Sequence, residues 1–228
     1  MKNKVGTAPK KKPTKRARKP APLSPLEDFK SVVRRVVGRA VERAAAADES
    51  ATRLLKRQHD EVKALFERFE KAKSRSAKIG AFNELAANLV AHDAIEREIF
   101  YPACERKMKM TPLLGEALVE HGLIEFSLHQ ADRAQQKADF EFKCQVLKEV
   151  VEHHVKEEER DFFPEAEKAL GYEALLALGQ RMKVRFDEQK GRDFREPLRH
   201  NLKQVLAGVL EPSPKSQRRS KRQSKRAA

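Results

Sequence analysis

Apolar residues return every three or four positions through the middle of the chain, a pattern that predicts an all-α protein. Leu55, His59, Val62, Phe66 and Phe69 form one stripe, on a helix over about 50–71. Leu85, Leu89, His92, Glu96, Ile99 and Ala103 form the next, over about 77–107. Thr111 and Pro112 supply the start of a third helix, with Leu114, Leu118, His121, Glu125 and Leu128 on one face. A fourth, over about 138–170, carries Leu147, Val151, His154, Glu158 and Phe162. Short polar connectors near 73–76, 109–111 and 135–137 make successive helices antiparallel neighbours, which predicts an up-down-up-down four-helix bundle. Every stripe contains a histidine, and three contain a glutamate.

The flanks read differently. Residues 1–22 are Lys-, Pro- and Ala-rich and predict a disordered tail. Residues 23–49 hold Phe29, Val32, Val33, Val36, Val37 and Val41 at helix-like spacing, a leading helix before the bundle domain of 50–185. That domain closes with a packing helix over Tyr172–Arg185, laid across the bundle end. Asp187–Arg199 reads as a linker and Leu202, Val205, Leu206 and Val209 as a short last helix, within an extension over 186–212. Residues 213–228 form a second basic tail.

Charge sharpens this division. The formal net charge is +15, yet residues 1–22 hold nine Lys/Arg and residues 213–228 hold seven, with no acid in either. The middle therefore carries 33 basic and 34 acidic residues and is nearly neutral. No stretch approaches the roughly 20 apolar residues that cross a bilayer, and the N-terminus has no apolar signal region, so a cytoplasmic protein is expected. Two cysteines, Cys104 and Cys144, give neither a disulfide framework nor a zinc ribbon.

The polar stripe residues keep a common register. His92, Glu96 and Pro102 recur 62 residues later as His154, Glu158 and Pro164, and His59 recurs at the same offset as His121. Each second histidine precedes its glutamate by four residues, which stacks imidazole and carboxylate on one helix face. Single inward histidines are ordinarily hydrogen-bonded core residues, but four of them at one level with two carboxylates call for a cation, because buried charge is costly unless paired or metal-bound. Imidazoles and bridging carboxylates without thiolate suit iron ahead of manganese or zinc, and Glu96 and Glu158 on different helices could span two ions. A ferritin-type Glu-x-x-His motif is absent.

The order His59, then His92-x-x-x-Glu96, then His121, then His154-x-x-x-Glu158, with Phe-Tyr-Pro and Phe-Phe-Pro following, resembles the hemerythrin HHE cation-binding domain over about 50–185. The resemblance implies a non-haem pair of iron ions with an oxo or hydroxo bridge that binds dioxygen or reacts with peroxide or nitric oxide. Oxygen-carrying members have His-x-x-x-His on the third helix and His-x-x-x-x-Asp on the fourth. Here Glu125 follows His121 and Glu158 follows His154, as in the bacterial HHE type. Added carboxylate stabilises oxidised iron and weakens reversible oxygen binding.

Glu125 is a candidate ligand or a rim carboxylate. His153 reads as exposed or supporting, and His129 and His200 as outside the site. Asp93, Glu98, Glu157 and Glu159 read as solvated helix faces, and Tyr101 as core. The site residues expected to hold metal are thus His59, His92, Glu96, His121, His154, Glu158 and Glu125. The function expected is an iron-binding module that stores, senses or scavenges oxygen, nitric oxide or peroxide, against alternatives of an enzyme turning over peroxide or nitric oxide and of a metal-free interaction protein. The tails suit sequence-independent attachment to nucleic acid through counterion release, which would hold the protein near the nucleoid. They would equally serve as solubilisers or bind another polyanion.

Overall fold

The computed structural model describes residues 49–208; the leading helix over 26–47 and both basic tails lie outside them. Helix α1 (Ala51–Lys71) starts where the Ser50 hydroxyl accepts from the Arg53 N–H. Helix α2 (Arg75–Ile95) starts likewise on Ser74, and α4 (Pro112–Asp132) on Thr111, with Pro112 in the first turn where no N–H is needed. Between them, α2 runs without a break through a π-helical turn, Glu96–Phe100, into α3 (Tyr101–Met108). Helix α5 (Phe140–Glu157) repeats that arrangement through Glu158–Phe162 into α6 (Phe163–Leu170). Hairpins α1–α2 and α4–α5 are joined as the short connectors require, and the described residues contain no strand.

The two π-turns have one cause. Pro102 and Pro164 lack an N–H, and in a regular helix each ring would strike the carbonyl four residues back. A turn widened by one residue relieves the clash, with the Tyr101 and Phe163 N–H groups bonding to the carbonyls of Glu96 and Glu158. The insertion also rotates the remainder of the helix, so Phe100 and not Ile99 takes the buried place in the stripe. Sequence periodicity put Ile99 there because it assumed an unbroken 3.6-residue repeat.

Beyond the bundle, α7 (Tyr172–Lys190) and α8 (Arg195–Leu206) correct the expected linker over Asp187–Arg199. Phe186, Phe194 and Leu198 are buried, so this segment is fixed by apolar contacts that a reading of its charges overlooked. Helix α7 packs on α1 and α2, and a Cβ on Gly179 would come within 2.1 Å of the Glu49 carbonyl. Only glycine admits that approach.

The core is in two pieces. Leu54, Leu55, Ile95, Phe100, Tyr101, Phe162, Phe163 and Met182 belong to one, at the end where α1 begins. Val62, Phe66, Phe82, Leu85, Leu128, Phe140 and Leu147 belong to the other, with Phe140 edge-on to Phe69 and Phe82. A layer of polar side chains separates them.

Candidate metal centre

That layer holds His59, His92, His121 and His154, each 6% exposed or less, with Glu96 and Glu158 at 0% and 2%. Each helix of the four supplies one imidazole, and the two π-turns begin at the two glutamates. The imidazoles are in pairs. The Nε2 atoms of His59 and His92 are 3.2 Å apart, and those of His121 and His154 are also 3.2 Å apart.

The far side of each ring decides which nitrogen carries hydrogen. Nδ1–H of His59 donates to Glu159 (2.7 Å), that of His92 to the Gln58 carbonyl oxygen (2.9 Å), that of His121 to Asp93 (2.7 Å) and that of His154 to Glu120 (2.8 Å). In the neutral rings every Nε2 therefore presents a lone pair inward. Two lone pairs facing each other at 3.2 Å repel unless a proton or a metal ion lies between them. Nitrogens at that separation, each at the ~2.0–2.1 Å of a zinc–imidazole bond, subtend roughly 100° at the ion, which suits tetrahedral or octahedral coordination.

The carboxylates complete both pairs. Glu96 Oε2 lies 3.1 Å from His92 Nε2 and 3.3 Å from His121 Nε2, so it reaches across from one hairpin to the other. Glu158 Oε2 lies 3.4 Å from His59 Nε2 and 3.7 Å from His154 Nε2. Neither oxygen of Glu96, nor Oε2 of Glu158, accepts a hydrogen bond, although all three atoms are buried. Ligand atoms converge in two overlapping sets, His59, His92, Glu96 and Glu158 in one and Glu96, His121 and His154 in the other. The donor atoms form two candidate cation sites with Glu96 common to both.

Electrostatics agree. Burial pushes the Glu96 carboxyl up to about 7, and burial with the neighbouring Glu96 charge holds Glu158 well above the usual carboxylate range. Burial brings His59 down to about 4 and His92 to about 3. His154 goes the other way: the bond to Glu120 and the charge of Glu158 outweigh its burial. Neutral His59 and His92 are ready to ligate, and a multivalent cation would offset the cost of ionising the buried Glu96 and Glu158.

Glu125 stands apart from both sets. Arg97 Nη1 donates to its Oε1 at 3.0 Å, and the residue is 4% exposed. Its Oε1 is taken by Arg97, while its Oε2 is buried beside the imidazoles without a hydrogen-bond partner. His153 is on the surface, 62% exposed at the side chain, as expected, and His200 bonds within α8 to Gln204.

Two acids expected on solvated faces are tied to the imidazoles instead, Asp93 buried and Glu159 partly exposed. Asp93 is 8% exposed and its Oδ1 takes the His121 proton; burial would raise its pKa, but His121 and Arg97 hold it below the ordinary value. Glu159, drawn to His59, is likewise held low, first by that hydrogen bond. Tyr101 is buried as expected, but its hydroxyl lies 2.9 Å from His121 Nε2 and donates to Glu158 Oε1 at 3.1 Å. Its counterpart in the 62-residue register is Phe163, which stacks on His59 at 5.9 Å. Gln58 and Glu120 obey the same register, one residue before His59 and His121, and that offset could have revealed them.

Helix α8 reaches the site too. Asn201 Nδ2 donates to Asp93 Oδ2 at 3.0 Å, so one carboxylate ties α8 to His121. Partners standing behind metal ligands typically hold 10–100-fold of affinity. Asp93→Asn is expected to speed iron loss to a chelator by about tenfold or more, and Asn201→Ala by roughly threefold, without changing stoichiometry. Equal rates in all three proteins would show that Asp93 does not support His121.

The comparisons agree with this geometry. The hemerythrin HHE cation-binding domain profile matches residues 50–166, and α7 and α8 lie beyond its end. The crystal structure of a hemerythrin HHE cation-binding domain-containing protein from Mycobacterium kansasii is similar, with 28% identity and a TM-score of 0.57, covering 66% of this chain and 97% of that one. No curated protein matches. With the domain profile spanning half of its length and the bundle built as described, this chain belongs to the hemerythrin HHE cation-binding family.

Proposed function

We propose that the protein holds two iron ions between its four imidazoles and two glutamates and uses them to bind, sense or scavenge a small oxidant: dioxygen, nitric oxide or peroxide. The opposed Nε2 lone pairs, 3.2 Å apart in both hairpins, carry this reading. His59 and His92 would hold one ion, His121 and His154 the other, and Glu96 and Glu158 would serve both. Such a pair supplies one- and two-electron exchange with a bound oxidant.

The residues around it select for small size. A cavity of about 30 Å³ adjoins all four imidazoles and is lined by Val62, Leu89, Ile124, Leu128, Val151 and Val155. A single water needs roughly 10–15 Å³ by the same measure, so a diatomic gas or peroxide fits. Among the described residues no helix is long and apolar enough to cross a membrane.

One observation favours peroxide turnover as a second reading. Glu125 also lines the cavity, and its Oε2 is buried without a hydrogen-bond partner. Burial, then the Asp93 charge, raises that carboxyl to about 8, so it can carry a proton at neutral pH. Tyr101 offers a hydroxyl on the Glu158 side. Iron-loaded protein mixed separately with each oxidant tests the choice: a reversible spectral change with dioxygen or nitric oxide and no steady peroxide consumption supports a binding module, whereas sustained consumption that falls in Glu125→Leu supports turnover. No optical response to any of the three would overturn both.

The basic tails supply a second part of the proposal, attachment to nucleic acid near the nucleoid. Their 16 Lys/Arg and lack of acid suit weak, salt-dependent binding to phosphate backbones. Deleting residues 1–22 and 213–228 is expected to leave bound iron unchanged and abolish retardation of duplex DNA at low salt. Retardation that survives would place any DNA-binding surface on the nearly neutral bundle.

A further inference from the structure

Helix α4 is apolar on two faces, and only one of them is used by the fold. Its inner face carries Leu114, Leu118, His121 and Leu128 into the core. Its outer face exposes Val119, Leu123 and Phe126, at 47%, 53% and 46%. A surface helix normally keeps its outer face polar, and one that is apolar all round is ordinarily covered on both sides. The neighbouring helix α5 also exposes Val146.

The charges at the ends of this stripe say what covers it. Along one line of α4 and its C-cap stand Glu116, Val119, Leu123, Phe126, Gln130 and the capping Arg133, at intervals of three and four. Glu116 and Arg133 are both exposed, and neither belongs to any ion pair among the described residues. The stripe is also symmetric about its own centre. Glu116 and Arg133, Val119 and Gln130, and Leu123 and Phe126 are each centred on the same point, between residues 124 and 125.

We propose that this face is a two-fold interface with a second copy of the chain, the two α4 helices packing antiparallel. A rotation through the shared centre sets Leu123 against Phe126 of the partner subunit and Glu116 against Arg133 of the partner subunit, both contacts occurring twice. Isologous contacts of this kind require a patch complementary to itself, and opposite charges bounding an apolar middle meet that condition.

Size sets the strength. The stripe spans about 26 Å at 1.5 Å per residue, and with the flanking α5 side chains the face is roughly 20 Å wide. The interface would bury on the order of 1,000 Å² in total, at the lower limit for a specific contact. The expected dimer is therefore a weak one, dissociating in the micromolar range.

Sedimentation equilibrium of the full chain between about 1 and 100 µM tests this directly. A monomer–dimer equilibrium is expected, weakened by roughly 100-fold or more in Leu123→Asp, whose exposed site leaves the helical circular dichroism unchanged. Glu116→Arg and Arg133→Glu should each weaken it, because like charges then meet, and combining them should restore it. A chain monomeric at 100 µM, or a dimer indifferent to Leu123→Asp and to the charge exchanges, would overturn the proposal.

Discussion

Glu96→Gln is expected to empty both halves of the metal centre at once. Glu96 is the one side chain in both converging ligand sets, within 3.3 Å of an imidazole Nε2 in each hairpin. The amide keeps the volume of the side chain and removes its charge, so the bundle should still form while bound iron falls from about two ions per chain to below roughly a tenth of that, since metal ligation needs the deprotonated carboxylate. Glu158→Ala should also lose iron, His92→Ala should strip the His59–His92 half first, and His129→Ala should keep both ions. Metal analysis beside circular dichroism separates these outcomes from simple unfolding. Full iron in Glu96→Gln would remove the bridging role assigned to that carboxylate.

Without metal, the fold should lose stability as pH rises from about 6.5 to 8, and metal should suppress most of that loss. The folded Glu96 and Glu125 carboxyls, at about 7 and about 8, lie above the ordinary 4.5, and Glu158 lies well above it. The native state therefore binds more protons than the unfolded chain between those values, and stability falls as pH rises through them. His59 and His92 act oppositely: their folded values of about 4 and about 3 are below the ordinary 6.5, so their contribution rises with pH and is complete near 6.5. The two effects oppose each other in acid, and above 6.5 the carboxyls and His154, whose value is raised, all act in the same direction, toward lower stability at higher pH. At about 1.4 kcal/mol per pH unit and group, the metal-free protein should lose on the order of 3 kcal/mol, roughly 5–10 °C in Tm. In iron-loaded protein Glu96 and Glu158 are already ionised, which leaves only the Glu125 part. Melts at pH 6.5 and 8, with and without chelator, check the sign; parallel curves would contradict it. Iron affinity should rise over the same interval as uptake releases protons.

The bundle and the six converging side chains were legible because two independent patterns coincide on them. Helical periodicity turned His59, His92, His121 and His154 inward, and the 62-residue register paired them with Glu96 and Glu158. The partners behind the ligands were less legible. Asp93 and Glu159 lie off the apolar stripes, where acids ordinarily face water, and only the approach of a neighbouring helix buries Asp93 or draws Glu159 to His59. Glu125 lies on its stripe, but Arg97 reaches it from the adjacent π-turn, a partner that periodicity within α4 cannot show. The π-turns were not read from the sequence, although Pro102 and Pro164, six residues after each glutamate, disfavour a regular helix there. The exposed stripe on α4 had the reverse difficulty. Leu123 and Phe126 look like core residues by type, and only the packed structure shows that nothing in the described chain covers them.

An anomalous difference map at the iron absorption edge, from crystals of protein purified without oxygen, tests the central claim most directly. The account predicts two peaks about 3.5–4 Å apart, one between His59 and His92 and one between His121 and His154, with Glu96 and Glu158 reaching toward both. A single peak, or iron held only at the surface by Glu120, His153 and Glu157, would contradict it.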